Sequence, residues 1–222
     1  MEDLLSLKIL ELRATAREIA QSVLAPHAEA VDRDCAWPAH AFKALADGGL
    51  LGLHVPLRLG GQEQGLLALA VLTETLGQAC SSSAICYGMH CVGTAVIAAK
   101  ATADQEERYL IPIAKGRHIT TLALSETGTG SHFFFPQSSL AFENGQYFVE
   151  GSKQYVTNGQ HADSYVISTQ ASSDETEAGE FSCLIVDDTP ALQWQEPWRG
   201  LGMRGISASS LLLNHLPVPA GN

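Results

Sequence analysis

Apolar residues recur at steps of three and four along the first half of the chain and at steps of two along the second. Leu4, Leu5, Ile9, Leu12, Ala16 and Ile19 make one face of an amphipathic helix. Pro26 is expected to end that helix or to lie just past its end. Trp37 to Asp47 predicts a second helix, with Pro38 suited to a first turn and Gly48-Gly49 to a stop. Leu66 to Leu76 and Ala84 to Ala99 are apolar and Ala-rich, which predicts buried helices. Thr102 followed by Asp104, Glu106 and Glu107 reads as the capped, acidic start of another.

After about residue 118 the period shortens to that of strands. Leu140 to Val149 is interrupted by Asn144-Gly145, the pair a two-residue hairpin turn needs because both positions take positive φ. Further strands are expected at Tyr165–Thr169, Phe181–Val186 and Ser210–His215, and an exposed loop at Ala171–Glu180. The fold class is therefore α+β: an N-terminal all-α helical domain over residues 1–118, then a mostly antiparallel β-barrel or sandwich domain over 119–222.

Charge narrows the classes of partner. The net charge of −11 disfavours nucleic acid and anionic membranes, which attract clustered Lys and Arg. No apolar run is read as reaching the ~18 residues of a membrane span. The five cysteines, Cys35, Cys80, Cys86, Cys91 and Cys183, include no CxxC pair. They read as reduced thiols of a cytoplasmic protein. Cys80, Cys86, Cys91 and His90 do not have a zinc spacing, so no metal is expected.

The stretch Leu122-Ala-Leu-Ser-Glu-Thr-Gly-Thr-Gly-Ser-His-Phe-Phe-Phe135 sets a polar turn of small residues between two apolar segments. Such a turn exposes N–H groups and hydroxyls, and its glycines let a flat or anionic ligand approach closely. The same composition suits an ordinary inter-strand loop. It is not a Walker loop, since no Gly-Lys-Ser/Thr follows, nor do the flanking elements fit a dinucleotide fingerprint. A second segment, Gly151-Ser-Lys-Gln-Tyr-Val-Thr-Asn-Gly159, follows the hairpin. Tyr155 and Thr157 stand two apart, which in a regular strand puts a ring and a hydroxyl on one side.

Together the two segments resemble the flavin-binding signatures of the acyl-CoA dehydrogenase family. Ser125-Glu-Thr-Gly-Thr-Gly-Ser-His132 matches a motif usually read Thr-Glu-Pro-Gly-x-Gly-Ser-Asp. Gly151 to Gly159 matches Gly-Ser-Lys-x-aromatic-Ile/Val-Thr-Asn-Gly. Ala25-Pro26, Asp32-Arg33, Gly49–Pro56, Leu59-Gly-Gly61, Gln105–Pro112, Gly202-Met-Arg-Gly205 and Pro217-Val-Pro219 continue the resemblance in order along the chain.

The resemblance implies FAD as cofactor, held by Leu122, Leu124, Ser125, Gly130, Ser131, Tyr155, Val156 and Thr157. Ser125 and Thr157 would bond the polar edge of the flavin, around its pyrimidine, N5 and O4. Tyr155 would lie against the ring, and Leu122 and Leu124 would flank it through their backbones. Gly130 and Ser131 would reach the pyrophosphate, with Ser131 also meeting the pantetheine of the substrate. The substrate would be an acyl thioester of CoA or a carrier protein, oxidised to the trans-2-enoyl thioester in fatty acid metabolism. The acyl tail would run near Tyr87, Met89 and Val92, residues that also suit plain helix core. An electron-transfer flavoprotein as acceptor and a homo-oligomeric complete enzyme are further implications.

Three departures qualify the match. Thr127 stands for the usual Pro, His132 for Asp and Ser125 for Thr. The family's catalytic glutamate belongs to a C-terminal helical domain expected after Val218-Pro219, and the 222 residues stop at Asn222. No catalytic residue is therefore assigned, and Glu126 does not occupy the base position. Phe133, Phe134 and Phe135 are expected to pack under the turn or at a subunit contact. A flavin oxidase or monooxygenase of the same fold, and a truncated non-catalytic binding module, are the alternatives.

Overall fold

The computed structural model of the protein describes residues 5–170 and 180–222. Leu4 of the first apolar stripe and residues 171–179 of the expected loop lie outside the described residues. The contacts divide the chain into two units. One comprises the described residues up to Ile119 together with Arg199–Ile206; the other comprises Thr120–Trp198 and Ser207–Asn222.

The first unit is helical. Its elements are α1 (Leu7–Ile19), α2 (Ala25–Arg33), α3 (Ala39–Asp47), α4 (Leu66–Gly77), α5 (Ser81–Lys100), α6 (Ala103–Gln105) and α7 (Ile111–Ala114). Ser6 caps α1 by accepting from the Ile9 amide, and Ile9, Leu12, Ala16 and Ile19 form its buried side. Thr102 and Gln105 make a reciprocal capping box at the start of α6.

Pro26 does not end the first helix. A π-helical turn, Ala20–Leu24, joins α1 to α2, and Pro26 lies in the first turn of α2. Pro112 has the same arrangement, with π turn Glu106–Leu110 ahead of it and α7 around it. Proline lacks an N–H and its ring crowds the carbonyl four residues back. A π turn passes its bonds to i−5 instead, so the chain continues through a residue that an unbroken α ladder would reject.

α4 and α5 are not buried all round. Leu66 and Leu67 are 76% and 56% exposed, and Ile85 is 42% exposed. The other side of α5 is core: Tyr87 is fully buried and donates its hydroxyl to Leu50 O at 3.0 Å, and His90 Nε2 donates to Leu51 O at 3.0 Å. α5 is long and apolar enough by composition to cross a membrane, contrary to the expectation that no run reached that length. Its burial among the other helices accounts for the same apolar character.

Arg199–Ile206 is tied to α2. Asp32 accepts from the Arg204 amide at 3.0 Å and from its guanidinium at 3.1 and 2.7 Å. The Arg204 amide, followed by its side chain, holds the Asp32 carboxyl below its ordinary value.

The second unit holds β1 (Thr120–Ala123), β2 (Ser139–Glu143), β3 (Gln146–Val156), β4 (Ser164–Gln170), β5 (Phe181–Asp187), β6 (Gln193–Trp194) and β7 (Ser209–Val218). Among the described residues, two sheets form, in orders β1-β4-β5 and β2-β3-β7-β6, and neither closes into a barrel. Among the described residues, all pairings are antiparallel except that β1 runs parallel to β4, with Thr120 beside Ser164 and Ala123 beside Ile167. The hairpin of β2 and β3 turns at Asn144 and Gly145, with φ of 51° and 83°. These are the positive values the dipeptide predicts.

Candidate flavin-binding site

Both motif segments belong to the second unit, and the structure sets them side by side. β1 delivers Leu122 and Ala123 from the parallel pairing with β4. The chain then leaves the sheet, and Leu124, Ser125 and the small residues behind them form a turn running to Ser138. Gln154 N donates to Ser125 O at 2.7 Å, and Thr121 Oγ1 donates to Thr157 O at 2.9 Å. The first bond joins the two segments directly, and the second ties the end of the later one to β1 just ahead of the earlier one.

Ser125 is exposed, and so are Gly130, at φ 53°, and Ser131 on the outer part of the turn. Leu122 and Val156 are buried, one in each sheet, and Leu124 is half-buried. A Cβ placed on Gly130 would meet nothing within 4 Å, so the turn is open to an incoming group there.

Tyr155 departs from the regular strand expected around it. The pairing of β3 with β7 shifts register between Lys153 and Val156, and Tyr155 takes φ 55°. A bulge of this kind re-aims a side chain, and the left-handed region is strained for a bulky residue. The phenol ring stands 64% exposed. β3 ends at Val156, so Thr157 begins a turn instead of continuing the alternation, and it is 7% exposed. The bulge and the turn, not a two-residue step along one face, therefore decide where the ring and the hydroxyl stand. Gly159 N closes that turn on Val156 O and Ser207 O, each at 3.1 Å.

Glu126 and Lys153 form an ion pair that the sequence reading missed. Glu126 is 7% exposed and Lys153 is fully buried. The carboxylate accepts from Lys153 Nζ, from Ser138 Oγ at 2.6 Å, and from the amides of Gln137 and Ser138. Lys153 Nζ also donates to Ser168 O and, at 3.1 Å, to Ser168 Oγ on β4. Burial pushes the Glu126 carboxyl up, but Lys153, Ser138 and the Gln137 amide outweigh it and hold it below its ordinary value. Burial also pulls the Lys153 ammonium down, against the pull of Glu126. The ionised pair fits the geometry, because every polar contact of the carboxylate is a donor. One signal was available in the sequence: Val149, Gly151 and Lys153 share a face of β3, and a lysine on an inward face requires a carboxylate.

Phe133, Phe134 and Phe135 do not pack under the turn. They are 46%, 37% and 49% exposed and lie against each other, with ring centroids 5.5 and 4.7 Å apart. In the helical unit, Tyr87 belongs to the core, while Met89 and Val92 line a shallow apolar groove with Leu69, Ile85 and Met203. The buried Cys86 and Cys91 thiols are pushed up by desolvation, Cys91 to about 12, as unreactive core thiols are.

Comparison with known proteins places these segments in context. Residues 8–117 match the model of the acyl-CoA dehydrogenase N-terminal domain, and residues 121–216 match that of the acyl-CoA dehydrogenase middle domain. The chain is 30% identical over 207 residues to a cyclohex-1-ene-1-carbonyl-CoA dehydrogenase of Geobacter metallireducens, covering 93% of this chain and 54% of that protein. It is 28% identical over 218 residues to the mitochondrial isovaleryl-CoA dehydrogenase of Arabidopsis thaliana, covering 96% and 53%. The solved acyl-CoA dehydrogenase of Geobacillus kaustophilus superposes with a TM-score of 0.87 at 25% identity, covering 99% of this chain and 58% of that one. The chain thus spans about half the length of the curated relatives it matches.

Proposed function

Since the chain belongs to the acyl-CoA dehydrogenase family, we propose that its β unit binds FAD for the oxidation of an acyl thioester to the trans-2-enoyl thioester. The observation that carries this reading is Tyr155: a ring held at φ 55° on a bulge and exposed beside the Ser125–Gln154 bond. A strained, exposed aromatic has no packing reason to persist, and strain of this kind gathers at functional sites.

The residues fit the group. The Tyr155 ring is a face for a planar heterocycle. The Ser125 and Thr157 hydroxyls supply donors for the polar edge of the ring system, with Leu122 of β1, Leu124 just past it and Val156 at the end of β3 supplying apolar surface beside them. Gly130 and Ser131, on the open part of the turn, suit a pyrophosphate, and Ser131 also suits the pantetheine arm of the substrate. When bound, FAD supplies an acceptor for the hydride lost from the substrate's β-carbon. The protein's part is to hold the ring and to place donors where negative charge grows.

The α-proton requires a separate base. Glu126 does not serve, because its carboxylate is buried and committed to Lys153, Ser138 and two amides. The family resemblance assigns the base to a further helical domain. The groove lined by Leu69, Ile85, Met89 and Val92 offers apolar surface suited to an acyl chain. The reading extends to a homo-oligomeric complete enzyme that works in the cytoplasm and passes electrons to an electron-transfer flavoprotein.

The test is a visible spectrum of the purified chain after incubation with FAD and removal of the unbound cofactor. A retained flavin band supports the proposal, and its bleaching by an acyl thioester under anaerobic conditions would report a base. A protein that emerges colourless, with a melting temperature unmoved by FAD, would overturn the claim that these residues hold the cofactor.

A further inference from the structure

The turn between Ser125 and Ser138 has little regular structure of its own. Its internal bonds are three-residue steps: Thr129 N to Glu126 O, His132 N to Thr129 O and Phe135 N to His132 O. Steps of this kind follow the chain, and backbone bonds tie only its two ends to strands, Gln154 N donating to Ser125 O and Gln170 N to Ser138 O. Yet the turn carries Ser125, Gly130 and Ser131, whose placement decides whether a ligand finds its donors.

Its two ends meet on one carboxylate. Glu126 enters near the start of the turn and receives the amides of Gln137 and Ser138, and the Ser138 hydroxyl, from its end. The carboxylate is fixed from below by Lys153, and Lys153 is fixed by Ser168 O and Oγ. All three ammonium protons are used. Ser138 also packs against Gly151, where a Cβ would come within 2.4 Å of Ser138 Oγ. A side chain at residue 151 would push Ser138 off the carboxylate.

We propose that Glu126 and Lys153 act as a buried latch that closes the Ser125–Ser138 turn and so positions its flavin-binding groups. Both are positioning residues, and neither meets the ligand. The role toward the cofactor rests on the flavin reading given above; the closure of the turn does not. A buried pair is a poor source of net stability, because desolvating two charges offsets most of their attraction. Its geometric effect is larger. Removing one partner leaves the other charge unpaired and frees the groups gathered around it. Here those groups are the amides that end the turn.

The experiment compares wild type with Glu126→Gln and Ser138→Ala in the full chain. It has two readouts: hydrogen exchange at the Gln137 and Ser138 amides without cofactor, and FAD affinity by fluorescence titration. Gly145→Ala serves as a control that strains the neighbouring hairpin without touching the latch. Glu126→Gln is expected to speed exchange at both amides by about tenfold or more, a loss of one charge-assisted bond. It is expected to weaken FAD by a similar factor while β4 amides stay protected. Ser138→Ala is expected to fall between, and Gly145→Ala to leave both readouts at wild-type level.

Unchanged exchange at Gln137 and Ser138 in Glu126→Gln overturns the latch. Faster exchange with FAD affinity within about twofold of wild type overturns its role toward the cofactor. Should Glu126→Gln fail to fold, Ser138→Ala decides by the same criteria. A wild type that binds no FAD overturns the flavin reading alone, and the exchange comparison still decides the latch.

Discussion

The amide of Gln154 donates to the carbonyl of Ser125 across 2.7 Å, one residue before Tyr155 takes its left-handed conformation. The bond pins the start of the turn to the bulge, so the exposed serine and the exposed ring share one backbone anchor. Strain at Tyr155 then has a measurable consequence. Tyr155→Gly removes the Cβ that makes φ 55° costly, a relief of about 1 kcal/mol, while glycine's looser unfolded chain takes back a similar amount. Thermal stability is expected to hold or rise slightly. FAD affinity is expected to fall at the same time, because the ring face is gone. Parallel melting curves and flavin titrations check this, and a joint loss of both quantities would show that Tyr155 is a packing residue.

The Glu126 carboxyl, held below its ordinary value of 4.5, gives the latch a pH dependence. The sign follows from linkage: a depressed acid stabilises the fold above the unfolded-state value, and the contribution is lost as pH falls through the folded one. The difference in melting temperature between wild type and Glu126→Gln is therefore expected to be full near neutrality. It should shrink once the pH drops below 4.5, where the protonated acid resembles the amide. A difference that stays constant into acid would mean that the carboxylate charge contributes nothing.

Asp32 and Arg204 are 172 positions apart and joined by three hydrogen bonds. Asp32→Asn keeps the shape but gives up the charge and one acceptor. The segment Arg199–Ile206 is expected to loosen, and trypsin to cleave after Arg199 and Arg204 several-fold faster, in keeping with the loss of a charge-assisted bond. Mass spectrometry of a timed digest reads it. An unchanged rate would assign the hold to Gly205, where a Cβ would come within 2.4 Å of Val31 Cγ1.

Gly145 separates conformation from contact. A Cβ there meets nothing within 4 Å, yet φ is 83°. Gly145→Ala is expected to cost about 1 kcal/mol from backbone strain alone. A urea midpoint that does not move would mean that the hairpin adopts another turn without penalty.

What the sequence disclosed and what it hid follow from the range of the interactions. The Asn144-Gly145 turn, the Thr102 capping box and the stop at Gly48-Gly49 were legible, because each is decided by residues within four positions. The site segments were legible as motifs for the same reason. The parallel pairing of β1 with β4 was not, since nothing in Thr120–Ala123 encodes a partner 44 residues away. The Glu126–Lys153 pair joins a turn residue to a strand residue 27 positions on, and only the inward position of Lys153 hinted at it. Tyr155 misled in a different way: alternation presumes a regular strand, and the bulge replaces it at the one position where the ring matters.

The two π turns ahead of Pro26 and Pro112 add a constraint on how this chain can vary in length. Each such turn holds one residue more than an α ladder needs over the same arc. A single-residue deletion between Ala20 and Leu24 would restore an unbroken ladder and return Pro26 to the clash the extra residue relieves. The length of these five-residue stretches thus matters alongside their buried side chains Ala20, Leu24, Tyr109 and Leu110, and only their exposed positions, such as Gln21 and Glu107, should tolerate exchange better than loss of a residue.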